Sequence, residues 1–209
     1  MNKYLLNFRN LSMFTGIIES IGVIKHIQSF GTNRTFTIES PISHELKPDQ
    51  SVSHNGVCLT VESVDGNQHR VTAIEETLNK TSLSHWAVEQ KINLERCLSF
   101  QGRLDGHIVQ GHVDGVGSCV SVKEIDGSWQ YQIAFPEAFA PLLIEKGSVC
   151  VNGISLTAFN VGNNIFEVAI IPYTFYHTTM QSLQPGNPVN LEFDVIGKYL
   201  QRHLQLLKH

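Results

Sequence analysis

Short stretches in which apolar and polar residues alternate recur along the whole chain. TFTIES at 35–40, HRVTAI at 69–74 and KINLER at 91–96 show this pattern, as do YQIAF at 131–135, FEVAIIP at 166–172 and VNLEFDV at 189–195. A period of two residues is that of a β-strand with one buried face, and these stretches are rich in β-branched and aromatic residues. Gly, Asn, Asp and Pro separate the stretches at intervals of about 8–12 residues, which is typical of a barrel or a sandwich.

The chain also repeats itself. VSHNGVCLTVESV at 52–64 matches VCVNGISLTAFNV at 149–161 at a constant offset of 97 residues, and the offset still holds where INLE at 92–95 meets VNLE at 189–192. Farther upstream, GIIESIG at 16–22 resembles GHVDGVG at 111–117 at an offset of 95. A register kept over this distance indicates the duplication of a half of about 95 residues. The sequence therefore predicts two similar all-β halves.

Three segments depart from the strand pattern and predict helices. PISHELKP at 41–48 and PEAFAPLLIEKG at 136–147 each begin with Pro, which suits a first helical turn, and end at Pro or Gly. At the end of the chain, VIGKYLQRHLQLLKH at 195–209 places four apolar residues on one helical face, namely Ile196, Leu200, Leu204 and Leu207. A helix of this length is marginal on its own and needs a packing partner, for which a second subunit is a candidate.

Composition narrows the classes of function. The net charge is −4 and the Lys and Arg residues are scattered, so the sequence lacks the basic surface of a nucleic-acid-binding protein. It also lacks the run of roughly 18 apolar residues that crosses a bilayer. The four cysteines show no metal-binding spacing and no secretory signal precedes them. We therefore expect a soluble cytoplasmic protein with reduced thiols and no bound metal, and we interpret residues 1–12 as a leader before the domain.

Candidate chemistry lies next to the two Asn-Gly turns. Each turn leads into a strand whose alternate residues, Cys58 and Thr60 or Ser155 and Thr157, point to one side. Small hydroxyls beside an exposed strand can bind a planar heterocycle or a polyol. They can equally serve only to stabilise strands and turns, and Cys58 can be a small buried apolar residue. Repetition at a fixed offset favours the binding role.

One histidine breaks the repeat. His112 has no counterpart in the first half, where Ile17 stands at the offset of 95 residues. A titratable side chain that occurs in only one of two similar sites points to general acid–base chemistry. His107 can be merely structural, and together with Asp105 and Asp114 it is too loosely spaced to indicate a metal site.

Five separated motifs occur in an order and spacing that no single hexapeptide could supply. They are MFTGII at 13–18, NGVCLTV at 55–61, GRLDGHIVQGHVDG at 102–115, KGSVCVNGISLT at 146–157 and PGNPVNLEFDVIGKYLQR at 185–202. Through these motifs the chain closely resembles the riboflavin synthase family of lumazine-binding duplicated barrels. The resemblance runs from Met13 to about Arg202, so it covers all but the two ends of the chain.

The resemblance implies an all-β fold of two tandem six-stranded Greek-key barrels, derived from an internal duplication, with a C-terminal α-helix. Residues 13–109 are expected to form the N-terminal lumazine-binding barrel and residues 110–195 the C-terminal one. The leader then covers 1–12 and an oligomerisation helix covers 196–209. The resemblance further implies a homotrimer whose active sites lie between the first barrel of one subunit and the second barrel of its neighbour. Association with a lumazine synthase is an additional expectation.

The activity that the resemblance implies is a dismutation of two 6,7-dimethyl-8-ribityllumazine molecules, one bound to each barrel. A four-carbon unit passes from one molecule to the other and gives riboflavin and 5-amino-6-ribitylaminouracil. Deprotonation of the C7 methyl group produces an anion that is delocalised into the pteridine ring, so no cofactor is expected. The protein then has to orient two rings and transfer protons. Two copies of one turn thus correspond to two copies of one substrate, a donor and an acceptor.

The resemblance also implies the residues of each site. The first-barrel pocket is expected to contain Gly16, Ile17, Ile18, Ser51, Cys58, Leu59, Thr60, Thr72, Ala73, Ile74, Glu75, Glu76 and Thr77. The second is expected to contain Gly111, His112, Val113, Lys146, Ser155, Leu156, Thr157, Ile170, Ile171, Pro172, Tyr173, Thr174 and Phe175. His112 and Ser155 are expected to form the proton-transfer pair, with Cys58 as a supporting polar or nucleophilic group. Asp194 is counted among the catalytic residues and, with Phe14, is expected to position the substrate.

Two positions depart from the family pattern. Asn152 stands where many members have Asp, and Val57 stands where a second cysteine can occur before Cys58. Because Asn also suits a turn before Gly, we expect little functional loss from the first difference.

Three rival functions differ from this expectation in what they require. Antenna proteins of luminescent bacteria share these barrels and hold a lumazine without converting it, but the presence of His112, Ser155 and Thr157, along with Cys58, favours an enzyme. An oligonucleotide-binding barrel needs a basic groove with stacking aromatic residues, and the negative net charge argues against it. A flavin reductase needs an attached nucleotide-binding domain with a Gly-rich turn after a strand, which the sequence does not show.

Overall fold

The computed structural model of the chain describes residues 13–99 and 101–207. All neighbouring strands of the first half pair antiparallel and close into a barrel. The predicted leader at 1–12 and the last two residues of the predicted C-terminal helix lie outside the described residues. The strands of the first barrel, which follow the order β1-β2-β5-β4-β3-β6 around it, are β1 Ser20–Phe30, β2 Asn33–Glu39, β3 Ser51–His54, β4 Val57–Asp65, β5 Gln68–Ala73 and β6 Lys91–Arg96.

The second half repeats this architecture with its strands in the equivalent order, β7-β8-β11-β10-β9-β12. Consecutive strands such as β2 and β3 are not adjacent in the sheet, so each barrel has Greek-key connections. The prediction of two tandem six-stranded barrels is confirmed. The strands of the second barrel are β7 Gly115–Ile125, β8 Ser128–Ala134, β9 Ser148–Val151, β10 Ile154–Phe159, β11 Ile165–Ile170 and β12 Pro188–Phe193.

Alternation along the strands separates an apolar interior from an outer face. Phe36 and Leu94 are fully buried in the first barrel, and Tyr131 and Phe166 are fully buried in the second. Burial of such side chains is the main source of stability, at about 25 cal/mol for each Å² of apolar surface removed from water. The residues between the buried ones necessarily face outward, and among these are the small polar residues of the candidate site.

The helices that connect strands within each half are shorter than predicted, and two of them lie at positions that the sequence pattern does not predict. The two predicted internal helices are short 3-10 helices over Ser43–Glu45 and Glu137–Leu142. Two six-residue helices, α1 Glu75–Lys80 and α2 Pro172–His177, follow β5 and β11 instead. The sequence pattern does not predict them because six residues span less than two turns and show little periodicity. The predicted C-terminal helix is confirmed as α3, Val195–Leu206.

Four buried asparagines show an approximate two-fold relation between the barrels. The side-chain oxygen of Asn55 accepts a hydrogen bond from the Asn93 amide at 2.7 Å, and Asn152 accepts from the Asn190 amide at 2.8 Å. Across the interface, the Asn93 side chain donates to the backbone carbonyl of Asn152 at 2.9 Å. The Asn190 side chain donates to the backbone carbonyl of Asn55 at the same distance. The repeated Asn-Gly turns therefore serve the contact between the barrels, where each buried amide finds a partner.

The C-terminal helix is anchored at one end and exposed along its apolar face. Asp194 caps α3 by accepting a hydrogen bond from a backbone amide of the first turn at 2.9 Å. Lys198 forms an ion pair with Asp114 of the second half at 2.6 Å. In contrast, Leu200 and Leu204 are 59% and 58% exposed. No helix within the described residues is long and apolar enough to cross a membrane.

Candidate active site

The candidate residues of β4 and β10 lie on the outer faces of their barrels. Cys58 is half-buried and Thr60 exposed, whereas Leu59 between them is buried. Ser155 and Thr157 occupy the equivalent positions of the second barrel and are likewise half-buried and exposed. The first face therefore presents a thiol and a hydroxyl, and the second presents two hydroxyls.

The segment that completes each face comes from the opposite half of the chain. The backbone amide of Cys58 donates a hydrogen bond to the carbonyl of Gly111 at 2.9 Å. The backbone amide of Ser155 donates to the carbonyl of Gly16 at 2.8 Å. Each barrel thus lends a short segment to the outer face of the other.

This exchange corrects the expected grouping of the site residues. Ile18 packs against the core of the second barrel, and Val113 packs against the core of the first. Segment 16–18 therefore belongs with the Ser155 face, and segment 111–113 belongs with the Cys58 face. The offset between the repeats identifies equivalent segments, but it does not tell which barrel each segment covers.

Only glycine fits at the two crossing points. Gly111 and Gly16 have φ angles of +75° and +77°, which lie in the left-handed region. A Cβ on Gly111 would lie 2.6 Å from the Cβ of Cys58, and a Cβ on Gly16 would lie 2.6 Å from the Cβ of Ser155. The close approach of backbone to strand at each face therefore depends on a missing side chain.

Phe14 supports this arrangement from the interior. Its side chain is fully buried, and its backbone forms an antiparallel bridge with Val109 through hydrogen bonds of 2.7 and 3.1 Å. A Cβ on Gly111 would also come within 3.0 Å of the Phe14 ring. Within this chain, the Phe14 ring therefore lies next to the Gly111 segment.

Ser155 has a histidine partner that differs from the expected one. His107 Nδ1 lies 2.6 Å from Ser155 Oγ, and His107 Nε2 is buried with no hydrogen-bond partner among the described residues. Burial lowers the pKa of His107, while the negative charge of Asp194 opposes this effect. The imidazole is therefore neutral at neutral pH and can accept a proton. A hydroxyl, an imidazole and a nearby carboxylate thus come together on the second barrel.

His112 lies at the first face. Its side chain is exposed and its backbone follows Gly111 directly, next to Cys58. No hydrogen bond between His112 and Ser155 occurs in the described parts of the chain. Within one chain, His112 and Ser155 therefore lie on different faces, and the expected proton-transfer pair stays a prediction for a site formed between two subunits.

His107 is the functional candidate that sequence reasoning missed. The broken repeat draws attention to His112, whereas His107 has no such mark. A signal was nevertheless present, because DGHIVQGHVDG contains two Gly-His pairs, Gly106-His107 and Gly111-His112. A Cβ on Gly106 would lie 2.0 Å from the carbonyl oxygen of Thr15, so this glycine also allows a close backbone approach.

Stretches 72–77 and 170–175 lead from the last hairpin strand of each barrel into α1 and α2. The hydroxyl of Thr72 lies 2.8 Å from that of Thr35. Ile74, Ile171 and Tyr173 are 54%, 61% and 69% exposed. These exposed apolar side chains form surfaces that a planar ligand or another subunit can cover.

Several other predicted residues have different surroundings. Ala73 and Ile170 are buried in the barrel cores, as is Leu59. Glu76 forms an exposed ion pair with Lys80 at 2.8 Å. The side chain of Lys146 is exposed, and its Nζ lies 5.1 Å from the centre of the Phe159 ring. The remaining predicted residues are half-buried or exposed, namely Glu75, Thr77, Leu156, Pro172, Thr174 and Phe175.

A cleft of about 700 Å³ lies beside the crossing segments. Ser51 and Ile17 line it, together with the charged residues Arg96, Arg103 and Asp105. The other predicted site residues of the described chain do not line this cleft. One chain therefore presents two similar open faces, one around Cys58 and one around Ser155.

Comparison with known proteins assigns the chain to a family. The family model of the lumazine binding domain matches it twice, at residues 15–97 and 110–194. Riboflavin synthases from Actinobacillus pleuropneumoniae and Bacillus subtilis are 39% and 37% identical over 193 residues, which cover 92% of this chain and 90% of each relative. This chain belongs to the riboflavin synthase family. A member from Mycobacterium tuberculosis is 39% identical over 196 residues, covering 91% of this chain and 97% of the relative.

Solved structures of LumP share the fold of this riboflavin synthase family member. The complexes of LumP with 6,7-dimethyl-8-(1'-D-ribityl)lumazine and with riboflavin have TM-scores of 0.78 and 0.80, over 86% of this chain and 98% of LumP. At 22% and 23% sequence identity, this likeness is one of fold alone. The relatives named riboflavin synthase are 36–39% identical and therefore favour an enzyme over a non-catalytic carrier.

The two matches to the lumazine binding domain include every predicted site residue except Phe14. They leave out residues 98–109, which contain His107. The tertiary structure is thus what connects His107 with the matched residue Ser155.

Proposed function

We propose that this chain catalyses the riboflavin synthase reaction, in which two 6,7-dimethyl-8-ribityllumazine molecules give riboflavin and 5-amino-6-ribitylaminouracil. The observation that carries the proposal is the pair of equivalent faces in one chain, one with Cys58 and the other with Ser155 and His107. Two equivalent faces suit two identical substrates, and different side chains suit a donor and an acceptor. The relatives named riboflavin synthase support the same reaction.

Proton transfer is the task for which the second face is equipped. Ser155, hydrogen-bonded to a neutral imidazole, relays a proton from the C7 methyl group of a bound lumazine to His107. The resulting anion is delocalised into the pteridine ring, so the reaction needs no metal or organic cofactor. The negative charge of Asp194 stabilises the imidazolium that forms.

The first face holds the second lumazine. Cys58 acts there as the polar or nucleophilic group, and His112 lies on the adjoining segment. Thr60 and, on the second face, Thr157 provide exposed hydroxyls for the polar edge of the ring or the ribityl chain. Orientation of the two rings contributes to the rate by raising their effective concentration.

We place the reaction between subunits of a homotrimer. The two faces of one chain are open, and a neighbour's opposite face closes each of them. The exposed apolar side chains of α3, Leu200 and Leu204, supply a surface for the subunit contact. A cytoplasmic location and association with a lumazine synthase stay predictions.

The first test is conversion of the purified substrate. Incubated with 6,7-dimethyl-8-ribityllumazine without added metal or cofactor, the protein is expected to form one riboflavin for every two lumazines consumed. Visible absorption and fluorescence follow both compounds. A stable lumazine spectrum together with tight binding would contradict the enzyme and indicate a ligand carrier on the same fold.

Mixing two impaired variants tests the arrangement between subunits. Cys58→Ala removes the thiol of the first face, and Ser155→Ala removes the hydroxyl of the second. When the two variants are refolded together, some contacts join an intact first face to an intact second face, so activity should exceed that of either variant refolded alone. Mixtures no more active than the separate variants would argue for a site contained in one subunit.

A further inference from the structure

A buried glutamate holds the segment that lies on the Cys58 face. Glu192 on β12 accepts hydrogen bonds from three consecutive backbone amides. Its Oε1 accepts from Gln110 at 2.7 Å, and its Oε2 accepts from Gly111 at 2.9 Å and from His112 at 3.0 Å. Both carboxylate oxygens are therefore used to fix one short stretch of backbone.

Glu95 on β6 does the same for the other segment. Its Oε1 accepts from the amide and the hydroxyl of Thr15, at 2.6 and 2.7 Å, and its Oε2 accepts from the Gly16 amide at 3.0 Å. Glu95 and Glu192 are equivalent residues of the repeat, 97 positions apart. The anchor is thus a duplicated feature.

Both anchors act across the boundary between the barrels. Glu192 belongs to the second barrel and holds the amide of Gly111, whose carbonyl accepts a hydrogen bond from Cys58 of the first barrel. Glu95 belongs to the first barrel and holds the amide of Gly16, whose carbonyl accepts a hydrogen bond from Ser155 of the second barrel. Each barrel therefore carries the carboxylate that completes the face of the other.

The two carboxylates lie where a charge is costly, since Glu95 and Glu192 are only 3% and 2% exposed. Burial is the main cause that raises the pKa of Glu192 to about 7. The charge of Asp114 adds to this effect, whereas Lys198 on α3 and the donating amides oppose it. Cys150 on β9 faces the same region as a neutral thiol, because burial and both glutamates raise its pKa. Such costly placement indicates that the hydrogen bonds have a specific purpose.

We propose that Glu192 and Glu95 are positioning residues for the two lumazine sites, each holding from its own barrel the backbone that completes the site on the other. The inference rests on the proposed function for the identity of the ligand, but its geometry is independent of that function. Glu192 sets the position of His112 beside Cys58, and Glu95 sets the position of Gly16 beside Ser155. An ionised carboxylate is required because it offers acceptors, and no donors, to every amide that it holds.

Protonation of Glu192 should loosen its segment. A proton on either oxygen adds a donor that faces the backbone amides and makes that oxygen a weaker acceptor, so the hydrogen bonds to segment 110–112 are weakened. Since Glu192 titrates at about 7, segment 110–112 is expected to loosen as the pH falls through that value. We expect this change to stay local. Protonation leaves no charge buried in the barrel, because burial favours the neutral carboxyl group.

Amide hydrogen exchange of the ligand-free protein tests the inference directly. Glu192→Gln replaces one acceptor oxygen by a donor and so imitates the protonated form. At about pH 8, this variant should exchange segment 110–112 about tenfold faster than the wild type, with segment 15–16 unchanged. Glu95→Gln is the matched control and should show the reverse pattern.

The pH dependence of exchange provides a second comparison. After correction for intrinsic exchange rates, segment 110–112 of the wild type should open more readily at about pH 6 than at about pH 8, and Glu192→Gln should show no such difference. Equal acceleration of both segments, or of neither, would overturn the inference. If the Gln variants do not fold, Glu192→Asp and Glu95→Asp keep the charge, shorten the side chain and allow the same segment-by-segment test.

Turnover separates this inference from the proposed function. Glu192→Gln should lose about tenfold in kcat/KM and should no longer lose activity between about pH 8 and pH 6, with partial rescue by Glu192→Asp. A variant with faster local exchange but unchanged kcat, KM and pH profile would overturn the positioning role. A wild-type protein that does not convert lumazine would instead contradict the proposed function and leave the exchange result intact.

Discussion

The first barrel presents a thiol where the second presents a hydroxyl, and the two faces differ again in the histidines beside them. Cys58 lies next to the segment of His112, whereas Ser155 is hydrogen-bonded to His107 at 2.6 Å. The frame around these side chains is the same in both barrels, with one strand order, one Asn-Gly turn and one glutamate anchor in each. The comparison teaches that the duplication kept the backbone that suits two like ligands, while a few side chains changed the chemistry.

The interiors of the barrels differ as well. In the first barrel, His54 Nε2 lies 2.9 Å from His69 Nε2, and His69 Nδ1 lies 2.7 Å from the Ser43 hydroxyl. Nδ1 of His54 faces a backbone carbonyl at 2.9 Å and therefore donates, which orders the donors along the chain with both rings neutral. At the equivalent positions the second barrel has Val151 and Phe166. One interior thus depends on neutral imidazoles and the other does not.

The largest effect is expected from Gly111→Ala, which breaks the crossing at the first face. The added Cβ would lie 2.6 Å from the Cβ of Cys58, at a φ of +75°. We expect the substitution to lower the free energy of unfolding by roughly 2–5 kcal/mol. Displacement of the face should lower kcat/KM about 100-fold. Denaturant unfolding and lumazine turnover measure the two effects.

Gly127→Ala is the matched control for this prediction. Gly127 also has a positive φ, +79°, but a Cβ there meets no heavy atom within 4 Å. It should cost only about 1 kcal/mol and leave turnover unchanged. Gly16→Ala should affect the Ser155 face as Gly111→Ala affects the Cys58 face. Equal losses in Gly111→Ala and Gly127→Ala would mean that the close approach does not constrain Gly111.

The next largest effect is expected from His107→Gln, which tests whether the imidazole beside Ser155 is what distinguishes the second face chemically from the first. Loss of the proton acceptor should lower kcat about 100-fold with little change in KM. Because burial lowers the pKa of His107 below its ordinary 6.5, the wild-type acid limb of kcat due to this group should lie below that pH. The variant should lack this limb. A larger loss of kcat in His112→Gln would return the role of base to the histidine that the sequence favours.

Acid should separate the two interiors. Unfolded His69 takes up a proton as the pH falls through 6.5, but the folded barrel resists protonation until about 4, because burial lowers its pKa. The stability that the neutral ring confers is therefore present above 6.5 and lost between 6.5 and about 4. For this one group the loss amounts to roughly 3 kcal/mol. Burial also lowers the pKa of His54 and adds to the effect.

One tryptophan in each barrel makes this measurable. In Trp129→Phe, fluorescence reports the first barrel through Trp86, and in Trp86→Phe it reports the second through Trp129. On acidification the first barrel should unfold at the higher pH. Combining His54→Val with His69→Phe, which copies the second barrel, should bring the two midpoints together. If the acid-unfolding midpoints of the two barrels already coincide while His54 and His69 are both present, the prediction is contradicted.

The smallest effect is expected from Asn152→Asp, which tests a side-chain hydrogen bond within the second barrel at the turn that faces the first. Asn152 uses its side-chain oxygen to accept from the Asn190 amide at 2.8 Å, and a carboxylate can accept the same bond. The free energy of unfolding should change by less than about 1 kcal/mol, with turnover retained. Asn152→Ala leaves that buried amide without its partner and should cost about 1–3 kcal/mol. Equal costs for Asp and Ala would mean that the accepted bond is unimportant.

The features that could be predicted from the sequence are those that local order or self-similarity encodes. Alternation identifies the strands and the side from which Cys58 and Ser155 project, because a period of two is a property of a few consecutive residues. The constant offset identifies the duplication, and apolar spacing identifies α3. The short helices α1 and α2 escape because they contain too few residues to show a period.

The sequence by itself therefore determined two repeated all-β halves, and through its motifs the family and the barrel fold that this family implies. Only the tertiary structure decided which segment completes which face, and that Ser155 meets His107, 48 positions away, where the sequence favours His112. The reason is physical. Side-chain alternation is a local property of the backbone, whereas these pairings depend on how two closed barrels pack and exchange segments, a long-range arrangement that no local pattern encodes.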